Sequence, residues 1–323
     1  MKLSLLDRSR TRAGRPESEG LTGSVERAVR AERLGYERFW VAEHHAVPGI
    51  ASGSPAVLLA AIGAATGRIR IGSGGVMLPN HQPLVVAEQF LMLEALHPGR
   101  VDLGIGRSLG FTAAVRAALR HDVDEPDTFE DDLAELRDLL AGGAAVTAHP
   151  VAAAPVPMSL LATGAGLAIA ARAGLPVVVG GPILGTAAGV EALAAYRRDF
   201  QPSKQAAGPY VTISLDVTVA DDDATARELA LPEAWAMARS RQTGEFPPLE
   251  SVEAIRAQTW STQLRTRVER SVEQAVAGSP ATVRARLDEL AERTGADELM
   301  ASTSTYDRAS LLASDEALRD LVD

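Results

Sequence analysis

Cysteine is absent from this chain of 323 residues. Disulfides, thiolate metal sites and cysteine nucleophiles are therefore excluded, and a reducing compartment is the natural expectation. Aromatic residues are scarce, at 4%. The core must then be aliphatic, with alanine-rich helices packed closely. No stretch offers the roughly 20 apolar residues needed to span a bilayer. The first seven residues carry one lysine and too short an apolar run for a secretory signal. Excess positive charge is also missing, since the net charge is −10. That balance argues against a nucleic-acid binder, which needs a basic face. A cytoplasmic protein is expected.

What is present is an alternation of strand and helix. Strands are expected at residues 2–7, 38–42, 70–78, 101–105, 156–162, 176–180, 210–220 and 298–304. Helices are expected at 21–34, 54–66, 83–96, 128–140, 164–173, 185–200, 224–241 and 280–293, with one more at the end. Gly35 suits a helix C-cap. Ser54 and Pro55 suit an N-cap and first position. The run 176–180 is continuously apolar, as a strand buried on both faces requires. Eight such units fit a single α/β domain over residues 1–323, a (β/α)8 TIM barrel, better than an open sheet. Residues 242–277 break the alternation, being polar and carrying Pro247-Pro248. They are expected to be an insertion before the last helix and strand. Residues 142–155, rich in Ala, Gly and Pro, suit a surface linker.

The chemistry should gather where strands end. Arg100-Val-Asp-Leu-Gly-Ile-Gly-Arg107 closes the fourth strand with glycines and a permanent cation. Arg107 offers a planar fork of donors suited to phosphate. Thr163-Gly164-Ala165-Gly166 joins a strand to a helix, so its backbone N–H groups and the Thr163 hydroxyl could cradle a phosphate; a plain N-cap at Thr163 is the simpler alternative. Ser73-Gly74-Gly75 lies inside a strand, where glycine marks a bulge, a close ligand approach or simple packing. Glu43-His44-His45 follows the second strand, and histidine moves protons near neutrality. His81, His97, His121 and His149 are scattered without metal-ligand spacing, so no metal site is expected. Gly104 to Gly110 contains two glycines of a dinucleotide fingerprint, but the third is one position late and no acidic residue follows at the required distance.

Taken in order, Phe39-Trp-Val-Ala-Glu-His-His45, Gly67-Arg-Ile-Arg-Ile-Gly-Ser-Gly-Gly-Val-Met-Leu-Pro79 and Pro98-Gly-Arg-Val-Asp-Leu-Gly-Ile-Gly-Arg107 resemble the bacterial-luciferase-like flavin-dependent monooxygenase family. The likeness continues through Gly174-Leu-Pro176, Asp199-Phe-Gln-Pro-Ser203, Gly278-Ser-Pro-Ala-Thr-Val283 and Arg293-Thr-Gly-Ala-Asp-Glu-Leu299, and so covers essentially the whole chain. The resemblance implies a barrel that binds reduced FMN at its C-terminal face, where a flavin 4a-hydroperoxide oxidises a small organic substrate. It implies that His44 is the catalytic histidine beside the flavin. It places Gly74 and Gly75, with neighbouring Ser73, in a bulge beneath the ring, often with a non-proline cis peptide. Arg107, Thr163, Gly164 and Gly166 would hold the phosphate. It also implies a homodimer and, as no nicotinamide domain is visible, a separate NAD(P)H-dependent flavin reductase.

The chain departs from the family pattern at several points. Ala162 and Gly166 stand where hydroxyl donors are usual, Gly180-Gly181-Pro182 where a histidine or aromatic is common, and no proline follows Asp7. A deazaflavin-dependent hydride-transfer enzyme on the same barrel, and a non-catalytic flavin-binding protein, are the alternatives.

Overall fold

Short apolar runs that hide both faces pair in parallel, and each needs a crossover, usually a helix, to return the chain to the same end of the sheet. The computed structural model, which describes residues 1–110, 112–120 and 126–322, has this arrangement. Its strands are β1 (Lys2–Asp7), β2 (Arg38–Val41), β3 (Arg70–Ser73), β4 (Val76–Met77), β5 (Val101–Gly106), β6 (Met158–Leu161), β7 (Val177–Gly180), β8 (Val211–Leu215), β9 (Val217–Val219), β10 (Val276–Gly278) and β11 (Glu298–Ala301). The helices are α1 (Ser18–Leu34), α2 (Pro55–Ala65), α3 (Pro83–Leu96), α4 (Ala113–Ala118), α5 (Phe129–Ala141), α6 (Ala165–Ala173), α7 (Ala187–Asp199), α8 (Asp223–Thr243), α9 (Val252–Arg256), α10 (Thr262–Gln274), α11 (Pro280–Thr294) and α12 (Arg308–Leu321).

The sheet runs β3-β2-β1-β11-β8-β7-β6-β5-β4 and closes through β3–β5. As β3 and β4 are two halves of one barrel strand, this is an eight-stranded parallel (β/α)8 barrel. Gly35 ends α1 in the left-handed region at φ 81°, its N–H returned to the helix, as expected of a glycine C-cap. Pro55 opens α2, though Ser54 makes no side-chain cap bond.

Side chains along each strand alternate between two apolar layers. Leu5, Phe39, Val41, Val177, Val179 and Leu299 face the helices in the main core. Leu6, Trp40, Ala42, Val178 and Met300 fill the barrel interior. The N-terminal end of the barrel is lined by charge. Arg38 bonds Asp102 and Glu298, each at 2.8 Å, and Glu298 also accepts from Ser4 and Tyr210. The polar groups there are mutually paired around a cavity of ≈ 590 Å³ bordered by Arg38, Arg70, Asp102 and Tyr210.

Two expected strands are divided. The strand at 70–78 is interrupted at Gly74-Gly75, whose peptide is cis. Gly72 pairs with Asp102 and Val76 with Ile105, so the chain advances one residue more than β5 between those pairs, which makes a bulge. The strand at 210–220 breaks at Asp216. Beyond it, β9 leaves the barrel and pairs with β10 in a separate two-stranded sheet. Asp216 accepts from Arg8 at 2.7 Å and from Ser302 at 2.8 Å, which ties this corner to the barrel rim. Residues 242–277 include α9, α10 and the start of β10. Ile255, Leu264 and Val268 there pack on Trp235 of α8 in a small core of their own. Among the described residues, no helix is long and apolar enough to cross a membrane. His121 lies outside the described residues.

Candidate active site at the barrel mouth

The C-terminal ends of β2, β4, β5 and β6 surround a cavity of ≈ 510 Å³. That is within the range of small-molecule sites. Its wall includes His44 and His45 after β2, Gly74 and Gly75 at the bulge, Arg107 after β5, and Thr163 and Gly166 after β6. Leu160, Leu161, Ala162 and Met77 supply apolar surface. A second recess of ≈ 250 Å³ shares Gly74, Leu161, Ala162 and Thr163 and leads inward to Trp40, Val178 and Met300.

The glycines of the bulge are explained by packing within the barrel itself, more than by a neighbouring helix. A Cβ on Gly74 would strike Leu6, and one on Gly75 would sit 2.8 Å from the Gly104 carbonyl oxygen. Ser73 is placed differently from the sequence expectation. It is fully buried, and its hydroxyl donates to the Gly104 carbonyl at 2.8 Å and accepts from the Gly104 N–H at 3.0 Å. It fastens the bulged strand to β5 and does not line the cavity.

Arg107 stands exposed at the rim. It pairs with Asp127 and lies 5.8 Å from the Phe129 ring centre. On the neighbouring strand end, after β6, α6 is preceded by Gly164, whose φ of 53° with no atom within 4 Å of an added Cβ leaves the turn open. Gly164, and not Thr163, occupies the N-cap position, and no side chain caps the helix. The N–H groups of Gly166 and Leu167 turn back to Thr163 and Gly164. Gly164 itself is next to the cavity wall and not part of it.

His44 is held by its backbone, with its N–H on Ser52, whose hydroxyl in turn bonds Ala42. Burial and the nearby guanidinium groups of Arg8 and Arg10 pull its pKa down to about 4. Arg8 reaches Glu233 at 3.1 Å and Asp216 at 2.7 Å, and Arg10 reaches Glu233 at 2.9 Å. Glu233 comes from α8, so this buried network joins the histidine's surroundings to the last third of the chain.

One association was not legible from spacing. Glu43 and His81 are 38 residues apart, yet His81 Nε2 lies 2.6 Å from Glu43 Oε1, and His45 Nε2 approaches the same oxygen at 2.6 Å. The short turn Leu78–Asn80 after β4 carries His81 to the end of β2.

The luciferase-like monooxygenase family model matches residues 1–298. The chain belongs to the luciferase-like monooxygenase family. A luciferase-like monooxygenase of Escherichia coli (strain K12) is 35% identical over 98% of this chain and 96% of its own. Among solved structures, apo-MsnO8 superposes with a TM-score of 0.88 at 34% identity, covering 99% of this chain and 98% of that one. Solved structures that share the fold at lower identity differ in cofactor. The oxygenating constituent of 3,6-diketocamphane monooxygenase from Pseudomonas putida, in complex with FMN, matches at TM-score 0.75 and 17% identity over 99% of this chain and 96% of that one. An F420-dependent secondary alcohol dehydrogenase matches at TM-score 0.71 and 13% identity over 99% and 98%.

Proposed function

We propose that the protein is a two-component, FMN-dependent monooxygenase that oxidises a small organic substrate in the barrel-mouth cavity. The observation that carries this reading is one cavity in which a cation and an open helix start stand side by side, after the paired strands β5 and β6, with a histidine after β2 on the same wall. Arg107 and the turn at Thr163–Gly166 would hold the phosphate, since guanidinium forks and helix starts both favour anions. Gly74 and Gly75 form part of the cavity wall and carry no side chain, so the ring could approach the backbone there. Reduced FMN, when bound, would supply the activation of oxygen, which the protein's side chains cannot.

The remaining work falls to the chain. His44 would hold or move a proton at its imidazole beside the ring. Leu160, Leu161 and Met77 would exclude water from the reacting atoms. Arg107 meets Asp127 in the protein, so phosphate would take over a cation already paired with a carboxylate. Reduced flavin would arrive from a separate NAD(P)H-dependent reductase. A second copy of the chain would cover the apolar outer faces of α2 and α3, where Val57, Val85, Met92 and Leu96 are 72%, 48%, 55% and 64% exposed. Contiguous apolar surface on this scale is what a partner copy would bury.

The F420-dependent relative keeps a hydride-transfer reading in view. Parallel titrations with reduced FMN and reduced deazaflavin F420 separate the two. The monooxygenase reading expects tighter binding of reduced FMN, and preference for the deazaflavin overturns it.

A further inference from the structure

Glu43 lies two residues beyond β2, and its side chain is fully enclosed, with 0% exposure. The Met77 backbone N–H holds Oε2 at 3.2 Å, which turns Oε1 toward the two imidazoles. His45 and His81 meet Oε1 from positions where 20% and 26% of their side chains face solvent. Among the described residues, these histidines are the ion-pair partners of Glu43, and neutral imidazoles would bring hydrogen bonds without positive charge. Buried carboxylates are ordinarily matched by a cation or a metal. The three ligand atoms lie within 4.8 Å of one another. Two imidazole nitrogens and one carboxylate oxygen form a donor set suited to a divalent first-row transition metal.

We propose that Glu43, His45 and His81 bind one divalent transition-metal ion at the rim of the cavity. The ion would take the place of the hydrogens the rings share with Oε1. Each neutral ring would move its hydrogen to Nδ1 and present the Nε2 lone pair, with no net change in protons. Ligands about 2.0–2.2 Å from a metal lie roughly 3 Å apart, so the 2.6 Å separations must open slightly, which side-chain rotation allows. The exposed edges of both rings give the ion a path from solvent. The Met77 N–H already orients the carboxylate, the outer support that metal ligands need. Three protein ligands leave at least one coordination position for water or another ligand. As His45 is part of the cavity wall, that ion would border the cavity. The proposal does not depend on which flavin the protein uses.

The test uses the full-length, tag-free protein after treatment with a chelator. Co2+ is titrated by visible absorption and Zn2+ by calorimetry, against the protein itself and His81→Ala, Glu43→Gln and His97→Ala. Thermal unfolding of each metal-free variant checks its fold, and His81→Ala, at a partly exposed position, keeps the test available if Glu43→Gln unfolds. One ion per chain is expected. Loss of a direct ligand should weaken Zn2+ by about 100-fold or more, since losing even an outer-shell partner costs 10–100-fold, whereas His97→Ala should bind like the parent protein. Absence of one-to-one binding, or unchanged binding in folded His81→Ala, overturns the proposal.

Discussion

Arg107 offers the sharpest test of where a phosphate sits. It is paired with Asp127 at the rim, and the two side chains are 46% and 57% exposed. A pair so open to water is worth at most about 1 kcal/mol. Asp127→Asn should therefore leave the fold intact and release Arg107, tightening FMN by up to about fivefold. Arg107→Ala removes charge-assisted hydrogen bonds worth about 1.5–3 kcal/mol, which weakens FMN by about 10- to 150-fold. Riboflavin shares the ring and lacks the phosphate, so its affinity should change little in either variant. Fluorescence titration of both ligands reads these outcomes directly. Equal losses for riboflavin and FMN in Arg107→Ala would mean that the cavity has been disturbed generally. Unchanged FMN affinity would place the phosphate elsewhere. Either result refutes the reasoning.

Other expectations follow from packing and charge. A Cβ on Gly104 would collide with the Ser73 carbonyl and come within 2.8 Å of Trp40, so Gly104→Ala should cost about 1–3 kcal/mol by urea unfolding; an unchanged midpoint would contradict the tight bulge. Burial alone would raise the Asp7 carboxyl, but the Arg27 charge and hydrogen bonds from Ser24 and Ser9 hold it below its ordinary 3.8. The unfolded chain then takes up that proton first, so this contribution is present at neutral pH and is lost below about pH 5 as pH falls through the folded value. Asp7→Asn should start less stable at neutral pH and lose less stability on acidification, and parallel pH profiles would rule this out. Charged substitutions at Val57 and Leu96 should halve the mass seen by light scattering; an unchanged mass would argue against a dimer through that face.

The barrel was legible because β1, β2, β5, β7 and β11 are short apolar runs separated by helices with clear ends, such as Gly35 after α1 and Pro55 before α2. Strand interruptions were harder to see. The alternation of Val211 to Val219 continues across Asp216, so nothing in the pattern marks the change of partner from barrel to β10. The glycines at 74 and 75 signalled a bulge, but not the direction of the Ser73 hydroxyl, which depends on the register with Gly104. His44, Arg107 and Thr163 were found at strand ends because a parallel barrel sends those ends to one face. His81 escaped, since it reaches Glu43 only through the turn after β4, and linear spacing carries no trace of that closure.

The most direct measurement is stopped-flow oxidation of reduced FMN by oxygen in the presence of the protein. The account predicts that bound flavin reoxidises with kinetics distinct from free flavin, and that His44→Ala, while still binding FMN, loses that difference. Reoxidation at the free-flavin rate, with no binding of reduced FMN, would contradict it.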